Sequence, residues 1–114
     1  MAGLSKEEEM LIVRNVHLVS DRIENNMPLS EDRLFFFKNL FSDLFSVLSR
    51  ATPEEVFAIF EQHRDHPFFA RDIETVLTPR GKEFLTGELK MIRENAEKES
   101  TSELKLVEKD NHIS

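Results

Sequence analysis

The chain has 114 residues, no cysteine and a formal net charge of −7, with 39% hydrophobic and 32% charged residues. One domain is the expectation from that length, disulfide and thiolate chemistry are excluded, and a protein that grips DNA unaided through a basic face is disfavoured, because no segment sums to more than +1. The acidic start, MAGLSKEEEM, lacks the basic flank and apolar core of a secretory signal, and no uninterrupted apolar run approaches the ~18 residues of a membrane span. A cytoplasmic protein with no membrane contact is expected.

Ser5 followed by Glu8 has the spacing of a capping box, so a helix is predicted to start near Lys6. Its apolar positions Ile12, Val16, Val19 and Ile23 step by four, three and four, with Leu11 and Leu18 alongside. Asn25, Asn26 and Pro28 end it. The stretch from Ser30 to Arg50, SEDRLFFFKNLFSDLFSVLSR, holds half of the ten phenylalanines. Leu34, Phe37, Phe41, Leu44 and Leu48 recur at helical spacing, which predicts a second long helix capped by Ser30, with a Leu29–Leu34 staple. Phe35, Phe36, Leu40, Phe45 and Val47 widen its apolar stripe to either side. A helix this apolar must be covered by other helices, from its own chain or a second copy.

Thr52-Pro53-Glu54-Glu55 restarts the pattern with a Thr cap, proline at the first helical position and Glu three residues after the cap. The short helix it begins carries Val56, Phe57, Ile59 and Phe60 and ends near His63. After Asp65-His66-Pro67, a fourth helix carries Phe68, Phe69, Ile73, Val76 and Leu77. Thr78-Pro79 opens a fifth with Phe84, Leu85, Leu89, Ile92 and Ala96, weakened by Gly81 and Gly87. The fold class is therefore all-α: about five helices, two long amphipathic ones followed by two short and one longer. Residues 1–96 form one helical domain, and 97–114, with few apolar residues, form a flexible, disordered acidic tail.

His63, Asp65 and His66 are the one cluster that suggests a metal or acid–base site, yet a closed zinc site takes four ligands and no second pair exists. An exposed or helix-ending role fits them better. Glu54, Glu55 and the run Glu7 to Glu9 sit in first turns, where a carboxylate interacts favourably with the helix dipole. No phosphate-binding glycine loop or nucleophile elbow is present in the sequence, so no catalytic residue, metal or cofactor is expected. Arg80, Lys82, Lys90 and Arg93 are nearly cancelled by Glu83, Glu88 and Glu94. The abundance of large apolar residues predicts a homodimer whose interface uses Ile12, Val16, Val19, Ile23, Leu34, Phe37, Phe41, Leu44 and Leu48. Glu54, Glu55, Phe57, Phe60, Phe68 and Phe69 form the predicted binding surface for a further protein.

With the helices laid out, the chain resembles the FlhD family, small helical subunits of a transcriptional activator. The likeness covers roughly residues 10 to 95 and rests on the amphipathic run Val13-Arg14-Asn15-Val16-His17-Leu18, the strongly apolar second helix, the helix begun at Pro53 and the segment with His66, Phe68 and Phe69. It implies a homodimer joined to a DNA-binding subunit, with DNA reached only through that partner. The Phe-rich second helix and the acidic tail depart from the family. Small helical anti-activators or adaptors, which bind and sequester a transcription factor, are similar in the same respects and give the alternative function.

Overall fold

The structure, a computed structural model, describes the backbone of residues 3–113 and the side chains of residues 3–98. Every regular element among the described residues is a helix: α1 Lys6–Arg14, α2 Val16–Glu24, α3 Glu31–Leu40, α4 Ser42–Arg50, α5 Pro53–Gln62, α6 Ala70–Leu77 and α7 Pro79–Ile113. The expected five helices become seven because each of the two long ones is broken once.

The local starts follow the capping chemistry. Ser5 Oγ accepts from the Glu8 N–H at 3.1 Å while Glu8 Oε1 accepts from the Ser5 N–H at 2.9 Å, and Thr52 and Glu55 repeat the arrangement at 3.1 and 2.9 Å. Ser30 Oγ accepts from the Arg33 N–H at the head of α3. The breaks have less obvious causes. At Asn15 the side-chain amide donates to the Leu11 carbonyl at 2.8 Å, a local bond that competes with regular helix continuation. At Phe41 the backbone moves to φ −129°, ψ 51° with no proline or glycine present. The ladder bends there without parting, since Phe41 N–H still reaches the Phe37 carbonyl and Phe45 N–H reaches the Phe41 carbonyl, both at 2.8 Å.

That bend sends α3 and α4 in different directions. α4 packs against α1 and α7, whereas α3 packs mainly on α4. The central element is α7, whose Leu85, Leu89 and Ile92 are fully buried and which meets α2, α4, α5 and α6. Gly81 makes the α6–α7 corner possible. A Cβ there would lie 2.2 Å from the Thr75 carbonyl oxygen and 2.6 Å from that of Val76, so this glycine is a requirement of close backbone approach and not merely a weak helix former.

The residues expected to meet a second copy are placed differently. Ile12, Val16, Val19, Ile23, Leu34, Phe37, Leu44 and Leu48 are all buried in the chain's own core, and Phe41 packs half-buried against it. The physical reason is that α6 and α7 close over α2, while α4, turned by the bend at Phe41, packs against α1 and α7, which together supply cover that the sequence assigned to a partner. α7 also continues as helix through Ile113, past the fraying expected near Glu97. The side chains of the expected tail beyond Lys98 lie outside the described residues.

Candidate interaction surfaces

Three surface features carry chemistry. The first is a cleft of about 440 Å³ between the α2–α3 connection and one side of α7, lined by Pro28, Leu29, Phe84 and Met91 with Arg80 and Glu83 at its edge. Glu88 stands in its wall and is only 4% exposed. Arg22 meets it with two bonds, Nε to Oε2 at 2.9 Å and a terminal nitrogen to Oε1 at 2.7 Å, and the Leu29 N–H adds a third at 3.3 Å. A buried carboxylate needs this degree of pairing. Arg22 also lies over the Phe37 ring, 5.6 Å from its centroid, so one ion pair ties α2, α7, the head of α3 and the inner face of α3 together. Sequence reading missed this pair, because its members are 66 residues apart.

The second feature is the turn between α5 and α6. His63 is the residue that ends α5. His66 Nδ1 accepts from the Phe68 N–H at 3.2 Å, and its ring lies 4.7 Å from that of Phe69 and 5.8 Å from that of Phe68. Both histidines thus have turn-ending roles, and no group of three or more His, Cys, Asp or Glu among the described residues is arranged to hold a metal ion. The turn holds Phe68 outward at 82% exposure. Arg64 beside it bonds to Glu74 through two nitrogens, at 2.6 and 3.3 Å, and to Glu61 at 3.4 Å. The hydrogen bond from Arg64 holds the Glu74 carboxyl below its ordinary range, and Glu74 in turn raises Arg64.

The predicted partner-binding residues are therefore not one patch. Phe60 is buried in the core. Phe57 is half-buried beneath Lys82, whose Nζ lies 5.8 Å from the ring centroid, and Phe69 is half-buried against the core. Glu55 is occupied in the Thr52 capping box. Exposed Glu54 sits in the first turn of α5, at the opposite end of that ~15 Å helix from the turn that carries Phe68. Of the aromatic residues in the set, Phe68 alone is freely presented.

The third feature is the outer face of α3. Phe35, Phe36 and Leu40 are 63%, 62% and 73% exposed, with the two rings in edge-to-face contact at 6.0 Å. The signal was available in the sequence. Leu34 and Phe37 define one face, and residues at Phe35 and Phe36 point roughly 100° and 200° round from Leu34, away from it.

Of the cations expected to be nearly cancelled by nearby acids, Arg80, Lys82 and Lys90 are exposed and Arg93 is half-buried. Arg93 donates to the Ala51 carbonyl at 2.7 Å, Arg80 to the Ile23 carbonyl at 3.2 Å, and Lys82 covers Phe57. No helix among the described residues is long and apolar enough to cross a membrane. Compared with protein-family models, curated proteins and solved structures, the chain matches none.

Proposed function

We propose that the protein is a non-enzymatic, protein-binding helical regulator. In this reading it is a dimeric subunit of a transcriptional activator complex, reaching DNA only through a DNA-binding partner, as the FlhD resemblance implies. The observation that carries the protein-binding part is Phe68, a large apolar side chain held out by a hydrogen-bonded turn at 82% exposure. Aromatic side chains presented in this way serve as anchors in protein interfaces, where they fill pockets on the partner. The near balance of Arg80, Lys82, Lys90 and Arg93 by Glu83, Glu88 and Glu94 supports leaving phosphate contacts to the partner.

The test begins with capture from the native cell on the wild-type chain and on Phe68→Ser, whose fold circular dichroism verifies. A DNA-binding regulator retained by the wild type and lost by the variant is the expected result. Equal retention by both removes Phe68 from the interface. In a mobility-shift assay with the captured regulator and its DNA, a further-retarded complex supports the subunit role. Release of the DNA identifies the sequestering alternative instead.

A further inference from the structure

We infer that the outer face of α3 is the contact between two copies of this chain, packed antiparallel about a two-fold axis that passes between Phe35 and Phe36. This deepens the dimeric reading above by naming its surface, and it does not depend on Phe68 or on transcription.

Area supports the assignment. Phe35, Phe36 and Leu40 at their observed exposures leave on the order of 400 Å² of apolar surface uncovered, taking about 200 Å² for a large side chain. This is about half of the ~800 Å² that each partner contributes to a standard interface, and the polar residues around the three side chains have to supply the rest.

Charge selects the occupant. The chain carries −7 overall, yet α3 as a whole is balanced, Glu31 and Asp32 against Arg33 and Lys38, with Lys38 turned over the Phe45 ring of α4. A basic partner would find stronger attraction elsewhere on this acidic molecule, whereas a helix with no net charge and its acids at one end suits an inverted copy of itself. The helical register makes the match specific. With 1.5 Å rise per residue and 100° per step, Asp32 and Asn39 lie on the midline of the outer face, flanked by Phe35 on one side and by Phe36 and Leu40 on the other. Antiparallel pairing about the midpoint brings Asp32 level with Asn39 of the second copy, and Asn39 level with its Asp32. The Asn39 amide then donates to the Asp32 carboxylate twice in the dimer. The opposed helix dipoles add a small favourable contribution.

Sedimentation equilibrium on the pure full-length chain, from low micromolar to submillimolar concentration, tests this without any partner. The wild type is expected at twice the 13.3 kDa monomer mass. Dimerisation should tighten as salt is raised, since two chains of like net charge repel and screening relieves that. The triple variant Phe35→Ser, Phe36→Ser, Leu40→Ser should weaken the dimer by at least a hundredfold. Because all three side chains are exposed in one chain, circular dichroism should show its helicity kept. Asn39→Asp, which sets like charges opposite one another, should weaken the dimer about tenfold, and Asn39→Lys should strengthen it; these two read the register even if the triple variant does not fold. A wild type that stays monomeric across the range overturns the inference, as does a folded triple variant that stays dimeric. Equal dimer strength in the two Asn39 variants overturns the antiparallel register. If Phe68→Ser gives monomers while the α3 variants do not, the contact lies at the turn between α5 and α6 and the inference is overturned.

Discussion

α3 and α4 meet at Phe41 and come from one apolar stretch, yet they stand in opposite relation to the core. α4 buries Leu44, Phe45, Val47 and Leu48, and keeps Ser42, Asp43, Ser46 and Arg50 for water. α3 buries Leu34 and Phe37 and leaves Phe35, Phe36 and Leu40 outside. The contrast teaches that apolar content does not decide burial; its angular distribution does. α4 confines its large residues to one stripe, which a single orientation can cover. In α3 they run around the circumference, and with α4 as its main neighbour no orientation covers them all.

The sharpest way to break this comparison is to shorten one phenylalanine in each helix. Phe45→Ala, at a 6% exposed position, should lower stability by about 4 kcal/mol, through lost burial and the cavity left behind. Phe36→Ala should stay within about 0.5 kcal/mol when urea unfolding is followed at low protein concentration, where self-association contributes little. Equal losses would mean that α3 is covered after all. A somewhat smaller loss is expected for Glu88→Ala, about 3 kcal/mol, because Arg22 and the Leu29 N–H are left without their acceptor in a largely buried site. This variant sharpens the contrast further. The ion pair secures the head of α3 through Leu29 and its inner face through Arg22 over Phe37, so hydrogen exchange should show α3 amides losing protection before those of α4.

What was legible in the sequence was the chemistry acting over three or four residues. Ser5 with Glu8, Thr52 with Glu55, and the cap at Ser30 all stand where spacing placed them. The all-helical class followed from the same periodicity. The break at Asn15 needed knowledge of a side-chain amide turned back onto Leu11, and the one at Phe41 has no marking residue at all. Residues assigned to a second copy, such as Val16 and Leu48, have their cover inside the chain, because periodicity identifies an apolar face without identifying what lies against it. Gly81 and Gly87 looked alike in sequence, but only Gly81 has backbone oxygens where a side chain would go. Arg22 with Glu88, and α7 as the hub of packing, depend on contacts between distant parts of the chain that local spacing cannot express.

The smallest expected effect concerns how the two helices are tethered. α4 is tied to α1 by the ion pair of Arg50 with Glu8. Within the folded chain the Glu8 carboxyl titrates below its ordinary value of 4.5, first because it accepts the Ser5 backbone N–H and second because Arg50 bonds to it. A carboxyl whose value is lowered by folding contributes its stability above the unfolded value and loses it as pH falls through the folded one. The tether should therefore hold at neutral pH and weaken progressively below about pH 4.5. The pair is open to solvent, so screening keeps the effect modest and salt should reduce it. Glu8→Gln isolates the charge, since glutamine still completes the capping box. Its melting temperature should fall less than that of the wild type between pH 6 and pH 3, by about a degree or two. In an Arg50→Ala background, Glu8→Gln should change the pH dependence of exchange at the α4 amides less than it does in the wild type. A Glu8→Gln profile that runs parallel to the wild type would show that the ion pair does not distinguish how α4 and α3 are held.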